Sequence, residues 1–256
     1  MLKVVKIGGN VVDNPARLRA FLVDFASLAG DKILVHGGGK VATAISAALG
    51  IETQMINGRR VTDSRTLEVV TMVYAGLNKQ ITATLQGLGC NAVGLCGADG
   101  ELITSRRRNP QPIDYGYVGD PVAINSVFTR KLLTDGHTIV TAPITYDGSG
   151  GLLNTNADTV AQTLATGMAA VGEEVELVYC FEKQGVLLDV DDENSVVPQL
   201  DAARFAELKA TGAIHSGMLP KLENAFAALE KGVRSVVICA AENIAKPDFG
   251  GTTIIK

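Results

Sequence analysis

The chain has 256 residues, of which 46% are hydrophobic and 20% charged, and its formal net charge is −4 at pH 7. This composition is typical of a folded globular protein and excludes the disordered, collagen-like and coiled-coil classes. The acidic balance argues against a nucleic-acid-binding surface, which requires excess positive charge, and favours small-molecule partners.

The N-terminal residues lack the long apolar region of a signal peptide, and no apolar stretch reaches the roughly 20 residues that cross a membrane. The cysteines Cys90, Cys96, Cys180 and Cys239 have no CxxC spacing and lie in or beside apolar, strand-like runs. Such positions favour buried thiols over disulfides or a zinc site. The sequence therefore predicts a cytoplasmic protein with no membrane segment and no metal site of its own.

The N-terminal part of the chain alternates short apolar runs with helical patterns. Strands are predicted at residues 2–7 and 32–36, and a helix follows each of them. Asn14 and Pro15 form a good N-cap and first-turn pair for the first helix, and Gly50 ends the second helix. This βαβα order predicts a parallel sheet.

Asn57 and Gly58 predict a β-hairpin within residues 51–62, because both turn positions tolerate positive φ. The elements predicted next are a long helix at 64–88, a strand at 92–96, an antiparallel excursion at 102–124, a helix at 126–135 and a strand at 138–143. The last two resume the parallel pattern.

After the glycine-rich residues 148–151 the alternation continues to the end of the chain. The predicted helices are 157–170, 201–209 and 218–231, and the predicted strands are 175–180, 235–239 and an edge strand at 252–255. No fixed-period repeat and no Pro/Ser-rich linker interrupts the pattern. The sequence predicts one α/β domain over residues 1–256, a three-layer α/β/α sandwich with a mainly parallel central sheet, and an N-terminal lobe that ends near residue 150.

Two glycine-rich turns follow the first two predicted strands. Their glycines are Gly8, Gly9, Gly37, Gly38 and Gly39. A missing Cβ lets backbone N–H groups approach an oxyanion, and a helix N-terminus adds positive charge. Lys6, at the end of the first strand, would add an ammonium group. Each turn alone is explained equally well as a tight strand-to-helix connection.

Motifs of three other enzyme classes are absent. Lys40 follows Gly39, but the upstream glycine of a P-loop is missing. The glycine pattern at residues 87–92 follows a predicted helix, which is the reverse of the dinucleotide-binding context. The run from His36 to Gly39 could form an esterase oxyanion loop, but the chain contains no GxSxG nucleophile motif.

Two more segments combine a turn with polar side chains. Asn154, Asn156 and Asp158 stand between a strand end and a helix, where a helix cap with a turn is the ordinary explanation. Lys221 follows a glycine turn at residues 216–217 and a proline suited to a first helical turn. Taken alone, it is best explained as an exposed helix lysine.

Read in chain order, these segments resemble the amino acid kinase family, and within it the acetylglutamate kinases, over essentially the whole chain. The matching segments are KIGGN at 6–10, HGGG at 36–39, NGRRVT at 57–62, YVG at 117–119, NTNAD at 154–158 and GMLPK at 217–221. Each is short, but together they follow the family's order and spacing. The NGRRVT and NTNAD segments distinguish this branch from carbamate, aspartate and uridylate kinases.

The resemblance implies the amino acid kinase fold and transfer of the γ-phosphoryl group of ATP to the γ-carboxylate of N-acetyl-L-glutamate, a step of arginine biosynthesis. A close N-acyl-glutamate such as N-succinyl-glutamate is an equally open acceptor. Mg²⁺ is expected with ATP, and the phosphates and water would hold most of its shell. Two alternatives remain: a related kinase of another small acidic substrate, and a non-catalytic ligand sensor on the same fold.

The resemblance also implies which residues act in the transfer. Lys6 and Lys221 would neutralise charge from opposite sides of the transferred group, and Asp158 would hold both ammonium groups. The glycines of the two turns, Gly8, Gly9, Gly37, Gly38 and Gly39, would cradle that group. A general base is not required, because a carboxylate acceptor is already ionised at neutral pH.

For the acceptor, the resemblance implies that Arg60 clamps the α-carboxylate, a task suited to a planar bidentate donor. Asn154 and Asn156 would bind the amide and carboxylate ends. Arg59 is adjacent in the predicted strand, so alternation predicts that it stands on the solvent face. Thr43 occupies a position where the family commonly has Asp.

The nucleotide would bind in the C-terminal lobe, 151–256, and the acyl-glutamate in the N-terminal lobe, 1–150. The implied nucleotide-binding residues are Glu182, Lys183, Gln184, Gly185, Val186, Leu187, Ile214 and His215. This loop departs from the family, which usually has a Thr-Asp pair before the glycine.

Family members that arginine inhibits carry an extra N-terminal helix that joins dimers into hexamers, whereas here the first predicted strand begins near residue 2. The resemblance therefore predicts a homodimer that is insensitive to arginine. The helix at 64–88 is the candidate interface.

Overall fold

The computed structural model describes residues 1–189, 191–212, 214 and 218–256. Helices α1 to α8 span Gly9–Val12, Pro15–Ser27, Gly39–Ala48, Ser64–Gly87, Ser126–Thr134, Ala157–Ala170, Ala202–Ala210 and Leu219–Glu230. Strands β1 to β14 span Leu2–Ile7, Lys32–His36, Met55–Ile56, Arg59–Arg60, Ala92–Leu95, Ile103–Arg107, Gly119–Ile124, Thr138–Thr141, Ile144–Tyr146, Leu152–Asn154, Val175–Phe181, Gln199–Leu200, Ser235–Ala240 and Thr252–Ile254. Among these described residues, no helix combines the length and apolarity needed to cross a membrane.

The central sheet has eight strands in the order β12-β14-β13-β11-β1-β2-β8-β5. Neighbouring strands run parallel except β13 and β14, which are antiparallel. The predicted α/β fold with a mainly parallel sheet is confirmed. One prediction was wrong: β14 is not an edge strand, because the short β12 pairs with its outer side.

Each face of the sheet packs against helices. Successive residues of a strand point to opposite faces, so Val4 packs in one core while Val5 packs in the other. The first core is filled from α6 and α8, with Leu164 and Leu222 fully buried, and the second from α2, with Phe25 fully buried. These two helix layers around one sheet make the predicted three-layer sandwich.

The N-terminal part carries two smaller sheets. The predicted hairpin forms from β3 and β4, and its turn residues Asn57 and Gly58 have φ of 49° and 73°. The predicted antiparallel excursion forms from β6 and β7, which join β9 and β10 in a four-stranded sheet. The hairpin lies near the carboxyl end of β2, because Arg60 of β4 donates a hydrogen bond to the Gly39 carbonyl.

Helix starts follow the side-chain caps that the sequence indicates. The Asn14 side chain accepts hydrogen bonds from the backbone N–H groups of Ala16 and Arg17, and Pro15 opens α2. Asn156 caps α6 in the same way. Because α6 begins at Ala157, its first turn places Asp158 beside the carboxyl end of β1.

Candidate functional site

Two clefts adjoin the carboxyl ends of β1 and β2. The hairpin cleft, about 420 Å³, is lined by Gly37, Gly38, Gly39, Thr43, Arg60, Tyr74, Asn154 and Asn156, among others. The lysine cleft, about 810 Å³, is lined by Lys6, Gly8, Phe181, Glu182, Lys183 and Lys221, among others. Gly9 and Lys40 line both clefts. Since β2 and β11 flank β1 on opposite sides, the clefts meet where the strand order reverses, the usual ligand site of such sheets.

The structure brings Lys6, Asp158 and Lys221 close together, and both lysines line the lysine cleft. The Lys6 side chain is nearly buried, and its Nζ lies 2.8 Å from Asp158 Oδ1. Lys221 Nζ lies 3.6 Å above the ring centroid of Phe181, and Lys6 Nζ lies 5.4 Å from the same centroid. Two ammonium groups therefore lie near one aromatic ring at the end of β11, and one of them is paired with a carboxylate.

Burial lowers the pKa of the Lys221 ammonium, and the charge of Lys6 lowers it further, while the Asp158 carboxylate opposes this shift. Holding two cations close together in a half-buried site is unfavourable without an anion. The arrangement therefore favours binding of a negatively charged group between the two lysines.

The two glycine turns lie side by side. A Cβ atom on Gly37 would lie 3.8 Å from the backbone nitrogen of Gly9 and 3.5 Å from the carbonyl oxygen of Ile7. Gly38 has φ of 149°, and a Cβ there would lie 2.6 Å from Leu77 Cδ1. Only glycine fits at position 38, so the close approach of backbone to a ligand that the sequence indicated is available here.

His36 makes a hydrogen bond that holds the second glycine turn in place. Its Nδ1 lies 2.7 Å from the carbonyl oxygen of Gly37, and Asn78 Nδ2 lies 3.3 Å from its Nε2. Because a carbonyl only accepts, Nδ1 carries the proton and Nε2 accepts from the amide. Burial lowers the pKa of His36 to about 4, so the ring is neutral at physiological pH.

Arg60 connects the hairpin to the second glycine turn. Its Nη1 donates to Thr53 Oγ1 at 2.9 Å, and its Nη2 donates to the Gly39 carbonyl and to Thr43 Oγ1, each at 2.8 Å. The side chain is 6% exposed and lines the hairpin cleft. Arg59 is only partly exposed and lines the same cleft, so the expected solvent-facing position was wrong.

Asn154 and Asn156 both line the hairpin cleft. Asn154 is nearly buried, and its Nδ2 donates to Thr62 Oγ1 at 3.0 Å. Asn156 Oδ1 accepts from the N–H groups of Asp158 and Thr159. The helix-cap explanation thus holds for Asn156, which at the same time stands at the cleft wall.

Some residues of the predicted nucleotide loop line the lysine cleft, and others lie in the core of the central sheet. Glu182 and Lys183 line the lysine cleft. The backbone N–H of Val186 donates to Thr252 Oγ1, and the side chains of Val186 and Ile214 are buried in the core of the central sheet. His215 lies outside the described residues.

The remaining three loop residues, Gln184, Gly185 and Leu187, are not among the residues that line the lysine cleft. Gln184 is exposed, and Leu187 forms an antiparallel bridge with Val196. A Cβ on Gly185 would lie 2.6 Å from Thr252 Oγ1, so close packing requires glycine there. Contacts of this loop with a nucleotide stay predictions.

Several residues that line the lysine cleft were not identified from the sequence. They are Asn10, Arg17, Ala20, Phe21, Asp24, Lys40, Phe181, Glu193, Met218 and Glu242, among others. Most belong to α1, α2 or strand ends, and their amphipathic spacing gives no sign of a ligand. Three of them carried a signal: Asn10 and Met218 lie in segments that match the family, and Lys40 follows the second glycine turn directly.

Within the described ranges, no three His, Cys, Asp or Glu side chains come close enough together to hold a metal ion. The hairpin cleft is lined by cations, amides and glycine backbone, whereas the lysine cleft combines five cations with four carboxylates, which are Asp24, Glu182, Glu193 and Glu242. The cations, amides and backbone N–H groups suit anionic ligands such as phosphates and carboxylates.

Residues 1–240 match the family model described as the amino acid kinase family. The acetylglutamate kinase of Cytophaga hutchinsonii is 54% identical over 245 residues, which are 95% of this chain and 92% of that protein. The acetylglutamate kinase of Bacteroides fragilis is 51% identical over 256 residues, 100% of this chain and 97% of that protein. That of Methanopyrus kandleri is 37% identical over the full length of both.

Solved structures share the fold at lower identity. N-acetylglutamate synthase from Neisseria gonorrhoeae, complexed with coenzyme A and N-acetyl-glutamate, is 22% identical with a TM-score of 0.84, and this chain spans 59% of its length. Carbamate kinase from Giardia lamblia bound to AMP-PNP is 13% identical with a TM-score of 0.70, and the match covers 100% of this chain and 98% of that one. With the sequence relatives, these findings show that the chain belongs to the amino acid kinase family, in its acetylglutamate kinase branch.

Proposed function

We propose that this chain transfers the γ-phosphoryl group of ATP to the γ-carboxylate of N-acetyl-L-glutamate or a close N-acyl-glutamate, giving the acyl phosphate and ADP. The observation that carries the proposal is a cleft lined by Lys6 and Lys221, with Asp158 paired to Lys6, next to a second cleft that holds a buried arginine. The names of the relatives support the acceptor and the place of the reaction in arginine biosynthesis.

ATP occupies the lysine cleft and the acyl-glutamate the hairpin cleft. The larger volume and the cations of the lysine cleft suit a triphosphate, and Glu182 and Lys183 extend it into the C-terminal lobe. The smaller cleft takes most of its wall from residues before 150, with Asn154 and Asn156 added from the start of the C-terminal lobe. The phosphoryl group then crosses at Gly9, where the two clefts meet.

In the transfer, a γ-carboxylate oxygen of the acceptor forms a bond to the γ-phosphorus while the bond to the bridging oxygen of ADP breaks. Lys6 and Lys221 neutralise the charge on the oxygens of the transferred group and on the leaving oxygen. Asp158 fixes the Lys6 ammonium and favours the charged form of Lys221. The acceptor is ionised at neutral pH, so the chain supplies no general base.

The N–H groups of the two glycine turns cradle the γ-phosphoryl oxygens, since no side chain keeps the backbone away. Mg²⁺ would accompany ATP and add charge neutralisation to the phosphates. Phosphate oxygens and water would hold most of its coordination shell.

Arg60 clamps the α-carboxylate of the acceptor. Its guanidinium group is held from three sides by Thr53, Gly39 and Thr43, so little freedom is lost when a carboxylate binds. Asn154 and Asn156 stand on the same cleft wall and bind the amide and the second carboxylate.

The proposal is tested by measuring ADP release with N-acetyl-L-glutamate, N-succinyl-L-glutamate, L-glutamate, L-aspartate and carbamate as acceptors. We expect kcat/KM for one N-acyl-glutamate to exceed that for free glutamate by about 100-fold or more, because the acyl amide is part of the recognised group. Preference for aspartate or carbamate would favour a different kinase of the family. Tight binding of an acyl-glutamate without any turnover would identify a ligand sensor.

The preferred acyl group is decided by the same assay, which compares N-acetyl and N-succinyl substrates directly.

We further propose that the protein is a cytoplasmic homodimer that associates through the outer face of α4. Exposed Met72 and small residues on that face support this interface.

A further inference from the structure

Lys40 stands where the two clefts meet. It is the second residue of α3 and follows Gly39 directly, and it lines both the hairpin cleft and the lysine cleft. Its Nζ donates a hydrogen bond to Asn10 Oδ1 and lies 3.8 Å from Asp13 Oδ2. A lysine of α3 thus contacts Asn10 of α1 and Asp13, the residue that follows α1.

Asp13 is an unusual carboxylate. Its side chain is 20% exposed as a whole, but both carboxylate oxygens are buried and accept no hydrogen bond from any described residue. Burial raises the pKa of Asp13, and the ammonium group of Lys40 opposes that rise. A Cβ on Gly9 would lie 3.2 Å from Asp13 Oδ2, so the carboxylate packs directly against the glycine turn. A buried carboxylate requires a nearby cation, and Lys40 supplies it.

We propose that Lys40 is a third cation of the phosphoryl-transfer site and contacts the γ-phosphoryl group as it crosses between the clefts. Asp13 and Asn10 are positioning residues that hold the Lys40 ammonium beside the first glycine turn. This inference rests on the proposed function, and it adds a group that neither Lys6 nor Lys221 replaces, because Lys40 also lines the hairpin cleft.

The chemistry of the transfer explains the need for such a cation. Negative charge spreads over three oxygens of the transferred phosphoryl group and over the attacking and leaving oxygens. Lys6 and Lys221 line the lysine cleft but not the hairpin cleft, so neither of them approaches the phosphoryl group from the acceptor's cleft. Lys40 reaches the phosphoryl group from α3, and its side chain is 69% exposed, which leaves the ammonium accessible to a ligand.

The ordinary explanation of Lys40 is a solvated lysine in the first turn of a helix. A cation at this end of a helix is unfavourable, because the helix dipole places positive charge there. Its contacts with Asn10 and Asp13 hold the ammonium at the cleft in spite of this cost. A ligand anion at the same place would compensate the charge.

The first test compares the steady-state kinetics of Lys40→Met, Lys40→Arg and the wild type. Loss of the ammonium is expected to lower kcat by about tenfold or more, with both KM values within about threefold of wild type. Lys40→Arg keeps the charge and should recover most of the rate. Lys131→Met is the matched control, because Lys131 is an exposed lysine that lines neither cleft.

A kcat of Lys40→Met within about twofold of wild type would overturn the proposal. A rise in the KM of the acyl-glutamate alone, with kcat unchanged, would also overturn it, because Lys40 would then belong only to the acceptor site. The melting temperature of each variant is measured first, so that a loss of folding is not read as a loss of catalysis.

The second test does not depend on the acceptor. Calorimetry measures the affinities of ADP and of a non-hydrolysable ATP analogue for the wild type and for Lys40→Met. A contact with the γ-phosphoryl group predicts that the analogue-to-ADP affinity ratio falls by about fivefold or more in Lys40→Met, and in the same direction by less in Asp13→Asn. An unchanged ratio in Lys40→Met would refute the contact. If no acyl-glutamate is turned over by the wild type, the proposed function fails, while this ratio still decides the role of Lys40.

Discussion

Lys221 lines the lysine cleft, and its ammonium group lies 3.6 Å above the ring centroid of Phe181. Lys221→Met keeps an unbranched apolar side chain beside that ring and removes the charge. Loss of one preorganised cation is expected to lower kcat by roughly 10² to 10³-fold, with smaller changes in KM. Steady-state kinetics provide the measurement.

Lys231→Met is the control for this change, since Lys231 is exposed at the C-terminal end of the same helix. It should behave like wild type. If Lys221→Met also retained turnover within about twofold of wild type, Lys221 would be an ordinary helix lysine and the mechanism would be wrong.

Arg60 is expected to act on the acceptor rather than on ATP. Arg60→Ala should raise the KM of the acyl-glutamate by an amount that corresponds to about 2 to 5 kcal/mol, the usual cost of removing one partner of a buried charge pair. The KM of ATP should change much less. Kinetics at saturating concentrations of the other substrate separate the two values.

Arg60 also holds Gly39 and Thr43, so its removal is expected to reduce stability as well. Arg60→Lys retains the charge but loses the planar fork, and should lie between wild type and Arg60→Ala. Arg65→Ala provides the surface control on α4. A rise in the KM of ATP as the main effect would move Arg60 to the nucleotide site.

At the scale of single residues, the sequence indicated those side chains that stand inside a short motif. Lys6, Asp158 and Lys221 each adjoin a glycine turn or a helix cap, which limits where the backbone can place them. Asp13 and Lys40 could not be paired from the sequence, because their contact depends on how α1 and α3 pack across Gly9. Such contacts between elements leave no local pattern.

At the scale of elements, prediction succeeded where a cap or an apolar period defines the boundaries. Helix α6 spans the predicted residues 157–170 because Asn156 fixes its start. Prediction from the sequence failed for β14, because its place inside the sheet depends on pairing with β12. Thr252 accepts from the Val186 N–H and donates to the Val197 carbonyl, and these contacts hold β14 next to β12.

The buried hydrogen bond between Asn78 of α4 and His36 of β2 predicts that the stability of the protein depends on pH. His36 is buried and neutral, with its pKa lowered to about 4 from 6.5. At a pH above the pKa of His36 in the unfolded chain, the ring is neutral in both states and costs no stability. As the pH falls below that pKa, the unfolded chain binds the proton first. Up to about 3 kcal/mol of the free energy of unfolding is therefore lost by the time the pH reaches the pKa of the folded protein.

His36→Asn removes the titrating group, and Asn is a neutral polar replacement. We expect the free energy of unfolding in urea to fall less steeply for this variant than for wild type between about pH 6.5 and 4, by up to about 1.4 kcal/mol per pH unit. The variant's lower stability at neutral pH does not affect this comparison of slopes. Equal slopes would show that folding does not lower the pKa of His36.

At the scale of the whole molecule, the position of β1 explains why two ligands can react here. The chain passes from β1 to β2 on one side and returns to β11 on the other, so two glycine turns and the start of α6 meet at one edge of the sheet. Each half of the chain contributes to both clefts. Neither half alone would hold both substrates.

The outer face of α4 also concerns the whole molecule. Met72 is 61% exposed in the middle of this helix, and the small residues Ala75, Gly76 and Ala83 are exposed along it. Small side chains let a second helix approach closely, and an exposed apolar patch favours association. The same face in a second copy offers a partner of matching shape, as two-fold symmetric dimers require.

Met72→Arg is therefore expected to convert a dimer into a monomer, because a charge placed on a two-fold interface meets its own copy. Light scattering with size-exclusion chromatography should give twice the monomer mass for the wild type and the monomer mass for the variant. Val127→Arg is the matched control, since Val127 is an apolar residue of α5 that is 79% exposed, and it should leave the mass unchanged. The proposed catalytic groups Lys6, Asp158 and Lys221 lie close together within one chain, so the monomeric variant should keep measurable turnover. A wild type that is monomeric at micromolar concentration, or a Met72→Arg variant that remains dimeric, would contradict the α4 interface.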